Sequence, residues 1–139
     1  PLGTFLTKLL RKSTVGGLLP VYPKNILYTN PQGKGTFTLK IQNVGLALVL
    51  CRFTIDAGKM CVLSTIVDGS PSSISIKTIH NELINLKPCR KNGDSALYFV
   101  VEGDNVVGRT FEINIYNSSK KNIEYAITDG VDNDLIYIN

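Results

Sequence analysis

The side chains that could do chemistry are few and scattered. His80 is the single histidine, and a nucleophile activated by it would have to be Cys61 or a nearby serine. No Gly-x-Ser-x-Gly elbow surrounds a serine, and no glycine precedes a cysteine to mark a thiol nucleophile. His80 stands where an alternating stretch gives way to a polar one, so a surface or hydrogen-bonded imidazole is expected. The chain is read as not an enzyme. Gly33-Lys34-Gly35-Thr36 has the composition of a phosphate loop without its Gly-x-x-x-x-Gly-Lys spacing, and an alternating segment follows instead of a helix. With Asn30-Pro31-Gln32 before it, this segment reads as a hairpin loop.

Asp129, Asp132 and Asp134 put three carboxylates within six residues, and hard oxygen ligands at that density could hold calcium. They miss the EF-hand register, and Asp and Asn are also turn residues, so a turn is the preferred reading. No cofactor is expected. Zinc is disfavoured because Cys51, Cys61 and Cys89 form neither a Cys-x-x-Cys pair nor a cluster with histidine. Asn117-Ser118-Ser119 satisfies the glycosylation sequon, a tripeptide common by chance, and reads as a hairpin turn.

Charge is the next resource. The net charge is +4, but residues 1 to 55 contain seven lysines and arginines and no Asp or Glu. Residues 102 to 139 instead carry seven carboxylates against three basic side chains. Lys8, Arg11 and Lys12, with Lys24, Lys34 and Lys40 further on, are the candidate contacts for an anionic partner, either nucleic acid or an anionic membrane. Phe5, Leu6, Leu9 and Leu10 make the first of these segments amphipathic, so it could equally pack on its own domain or on a partner. Specific RNA readout is disfavoured, since there is no tryptophan and no aromatic strand motif for base stacking.

Leu2 to Lys12 is the one helical pattern, ended by Gly16-Gly17 and Pro20. After Pro23 the period becomes two. Gly35–Asn43, Leu46–Ile55, Met60–Val67, Ser73–Ile79, Ala96–Glu102, Arg109–Asn117, Ile123–Thr128 and Leu135–Ile138 read as eight strands, with Asn25–Tyr28 a further candidate. His80–Ser95, which holds Pro88 and Asn92-Gly93, reads as irregular. Thr36–Asn43 and Thr110–Asn117 resemble each other, as a hairpin used twice would.

The expected fold is an all-β antiparallel sandwich, immunoglobulin-like or jelly-roll, of about eight strands with a short amphipathic N-terminal helix or arm. Residues 1–22 form the arm and 23–139 the sandwich. The pattern is also compatible with major-sperm-protein-like sandwiches and with the jelly rolls of small virus coats.

With 43% hydrophobic and 19% charged residues, the chain is greasy for a monomeric domain of 139 residues. Leu46 to Leu50 is apolar on both faces, as a central strand or an interface strand would be. Leu46, Leu48 and Leu50 are therefore the candidate self-association residues.

The function expected is a non-catalytic structural or interaction protein that forms a homo-oligomer or binds a protein partner, with a shell- or coat-forming role as one version. An anion-binding module working through the basic arm is the alternative, and a loop-built enzyme site ranks last. No small-molecule substrate is indicated. Three sparse cysteines in apolar stretches suggest buried thiols in a reducing interior, cytoplasmic or within a virion. No apolar run reaches the ~18 residues of a membrane span, and no secretory signal is read. Pro1-Leu2-Gly3 reads as the remnant of a cleaved tag, which puts the native start near Thr4 and leaves a longer native chain open.

Overall fold

The computed structural model describes residues 2–4, 20–32, 35–69, 72–103 and 106–138. The expected helix over Leu2–Lys12 lies outside these residues apart from 2–4, whose backbone is helical. Among the described residues ten strands follow one another: β1 (Tyr22–Thr29), β2 (Phe37–Gln42), β3 (Ala47–Phe53), β4 (Cys61–Gly69), β5 (Ser72–Asn81), β6 (Leu86–Arg90), β7 (Leu97–Val101), β8 (Thr110–Asn117), β9 (Glu124–Asp129) and β10 (Ile136–Tyr137). A 3₁₀ turn at Thr54–Asp56 joins β3 to β4.

The strands form two antiparallel five-stranded sheets. Sheet A runs β1-β8-β3-β4-β5 and sheet B runs β10-β6-β7-β2-β9. The all-β sandwich is as expected, but with ten strands rather than eight. β6 lies inside the stretch read as irregular. Pro88 is the cause: it lacks an N–H, so its presence argues against a strand interior. Here Pro88 accepts from the Ile138 amide at 2.9 Å, so its backbone polar edge faces the two-residue strand β10. The missing donor therefore falls where β10 ends, and the β6–β7 ladder is undisturbed.

β2 pairs with β7 in sheet B, and β3 with β8 in sheet A. β6 flanks β7, while β4 and β5 extend sheet A beyond β3. The chain thus alternates between the sheets, with each central pair drawn from distant parts of the sequence. At the remaining positions β1 pairs with β8 and β9 with β2.

The core follows from alternation. β8 buries Phe111, Ile113, Ile115 and Asn117 in strict period two. Against them sheet B presents Phe37, Leu39, Ile41, Leu97, Phe99 and Val101. Tyr28, Phe37, Phe53 and Phe111 close one end, with ring centroids 5.5 to 6.4 Å apart. The two resembling segments, β2 and β8, are each second from the edge of their sheet and meet through the rings of Phe37 and Phe111.

β7 is buried at all five positions, because its outer face is covered too. After β9 the chain crosses the outside of sheet B to reach β10 at the opposite edge. This strap is pinned at Thr38, whose hydroxyl donates to the Gly130 carbonyl at 2.8 Å and accepts from the Asp132 amide at 3.0 Å. Leu135 then packs on Cys89, Ala96, Tyr98 and Val100.

Candidate functional site

The outer face of sheet A is where the predicted self-association residues come together. Ala47, Val49, Cys51 and Phe53 of β3 belong to the inter-sheet core. The alternation therefore turns Leu46, Leu48 and Leu50 to the outside of the sheet. The ladders align Leu48 with Tyr116 of β8 and Ser64 of β4, and Leu50 with Asn114 and Val62. Beside Leu46 and Leu48 stands Ile66, which shares the outward parity of Ser64 and Val62. The result is an apolar block across β3 and β4. Leu48 and Val62 are almost wholly buried, whereas Leu46 is 54% and Ile66 59% exposed. Leu27, on the same face of β1, is also 59% exposed.

The sequence reading missed Val62 and Ile66. The signal was present, since Met60-Cys61-Val62-Leu63 is apolar on both faces, as Leu46 to Leu50 is. Tyr116 was hidden within the alternating run of β8.

A charged border limits the block at one end. Arg52 Nε donates to Glu112 Oε1, and the Asn25 amide donates to the other carboxylate oxygen at 2.8 Å. The Arg52 guanidinium, followed by that Asn25 bond, holds the Glu112 carboxyl below its ordinary range. Beyond them a groove of about 330 Å³ opens between Leu27, Phe53, Phe111, Lys59 and Asp56. Asp56 is buried, and its Oδ2 has no hydrogen-bond partner. No histidine or cysteine lines this groove.

Of the six basic candidates only Lys24 and Lys40 are described. Lys8, Arg11, Lys12 and Lys34 lie outside the described residues. Lys24 is half-buried in β1, on sheet A. Lys40 is on the outside of sheet B, 3.9 Å from Asp94 and 5.8 Å above the ring of Tyr98. Lys24 and Lys40 therefore belong to different sheets, and Lys40 is engaged within its own fold.

Among the described residues no group of three His, Cys, Asp or Glu side chains could hold a metal ion. Asp132 turns instead to Lys91 at 3.1 Å, anchoring the strap, and Asp134 occupies a tight turn at φ 61°. His80 is on β5 beside Glu82, with Nε2 2.9 Å from Oε1, and is half exposed. The three thiols are free and buried. Asn117 of the sequon is wholly buried, and its amide nitrogen donates to the Asn43 carbonyl at 3.0 Å, so the acceptor atom is already committed.

No known family, curated protein or solved structure matches this chain.

Proposed function

We propose that this chain is a non-catalytic structural or interaction protein, a β-sandwich that self-associates through the outer face of sheet A. The observation that carries the reading is the pair Leu46 and Ile66, neighbours across β3 and β4 and more than half exposed on a face that points away from the inter-sheet core. Side chains such as Leu46 and Ile66, more than half exposed and contiguous with buried neighbours, gain transfer free energy when a second surface covers them. A homo-oligomer, with shell or coat formation as one form of it, is the use such a surface fits.

The test is a double variant, Leu46→Lys with Ile66→Lys. Both side chains are mostly exposed, so folding stability should change by less than about 0.5 kcal/mol each. Light scattering across concentration should show association weakened by at least about tenfold, equivalent to roughly 1.4 kcal/mol. Unchanged association in a folded double variant would remove the face from the account.

A further inference from the structure

We infer that β5 pairs antiparallel with β5 of a second copy about a two-fold axis at Ser75, joining two copies of sheet A into one continuous sheet. This rests on the reading above that the chain self-associates, and adds to the outer face of sheet A a second contact at its β5 edge.

The four edge strands are protected very unequally. An exposed edge presents unpaired amides and carbonyls to any extended chain, and natural domains blunt edges with proline, charge, bulges or shortness. β1 carries Pro23 and Lys24. β9 begins at Glu124 and ends at Asp129. β10 has only two residues. β5 has ten, no proline, and a single lysine, Lys77. Among the described residues its only strand neighbour is β4.

The β5 sequence also suits itself as a partner. The β4–β5 register is regular from Ser72 to Thr78 and shifts beyond it, between Val62 and Leu63 on the β4 side. The centre of this regular stretch is Ser75. Two copies paired about Ser75 set Ile74 opposite Ile76 of the other copy, in both directions, on the core side of the sheet. On the outer side Ser75 meets Ser75, and Lys77 meets Ser73. The two lysines are then offset by four residues, roughly 13 Å along the strand, so like charges do not oppose. Pairing keeps each residue on its own face, so both cores continue across the junction without a slip. The contact is isologous and closed, as a two-fold dimer requires.

Single cysteines test the register. Ser75→Cys meets its own counterpart at a separation near 5.5 Å or less, within reach of a disulfide. Ser73→Cys meets Lys77, and its own counterpart is roughly 13 Å away along the strand, outside that reach. Cys51, Cys61 and Cys89 are buried and supply a low background. Each variant is oxidised with copper-phenanthroline alongside sedimentation of the unmodified chain. Ser75→Cys is expected to form dimers at least about tenfold faster than Ser73→Cys in a chain that associates. Association with equal or absent cross-linking at the two positions would overturn the β5 pairing and leave self-association standing. A chain that stays monomeric at every concentration would overturn both.

Discussion

Asn117 and Gly45 are joined by a side chain that does the work of a strand. At the end of β8 the Asn117 Oδ1 accepts from the Gly45 amide at 2.9 Å, while its Nδ2 donates to the Asn43 carbonyl at 3.0 Å. Asn117 is fully buried, and Asn43 is held at φ 71°, a left-handed conformation that Asn tolerates better than most residues. This clamp fixes the crossover from β2 to β3, so it sets where Leu46 emerges on the outer face.

Asn117→Leu should therefore cost about 2 to 4 kcal/mol, because both backbone partners lose their bonds inside the protein. Urea unfolding measures it. A loss below about 0.5 kcal/mol would mean that water replaces the amide and that the clamp is dispensable.

The outer face of sheet B is tied through Asp94. The Tyr98 hydroxyl donates to Asp94 Oδ2 at 2.6 Å, and Lys91 sits 5.1 Å from the ring centroid. Burial raises the Asp94 carboxyl, but the Tyr98 hydroxyl, the Ala96 amide, Lys40 and Lys91 together outweigh it and leave it below its ordinary value. Tyr98→Phe should cost about 1 to 2 kcal/mol at neutral pH, and less once Asp94 is protonated. Paired urea titrations of the two proteins at neutral and acid pH check both parts.

Acid should weaken the whole domain. Glu82, Glu102 and Glu112 are also lowered, chiefly by hydrogen bonds from His80, Lys87 and Arg52 respectively. A carboxyl depressed in the folded state contributes stability above its unfolded value of about 4, and that stability is lost as pH falls through the folded value. The urea midpoint should accordingly drop as pH is lowered from about 4.5 towards 2. A midpoint that holds or rises across that range would contradict the ion pairs.

Thiol chemistry offers an independent check on the core. Cys51 and Cys61 face each other across β3 and β4, and both are buried. Burial pushes the Cys51 thiol well up, and the neighbouring Cys61 thiol adds to this. Burial also pushes Cys89 up to about 12. The hydrogen bond with Cys51 lowers the Cys61 thiol instead, but all three sulfurs are buried, so a disulfide reagent at neutral pH should label none of them in the folded protein and all of them in urea. Rapid labelling of any one under native conditions would place it at the surface.

Much of the architecture was legible because β2 and β8 alternate cleanly: Phe37, Leu39 and Ile41 meet Phe111, Ile113 and Ile115 across one interface. β6 was not legible, since Pro88 reads as a breaker unless the partner on its polar edge is known to be only two residues long. β7 looked like any buried run, and only the returning strap explains why Tyr98 and Val100 are as buried as Phe99. For the candidate face, Leu46, Leu48 and Leu50 could be picked from composition. That Val62 and Ile66 extend the same block depends on the β3–β4 register, which hydrophobic pattern alone does not fix.

Sedimentation equilibrium of the unmodified chain, from micromolar to millimolar concentration, tests the central claim most directly. Covering Leu46 and Ile66 with a second copy requires a weight-average mass that rises with concentration beyond the 15.2 kDa of one chain. A mass fixed at that single-chain value over the whole range would contradict it.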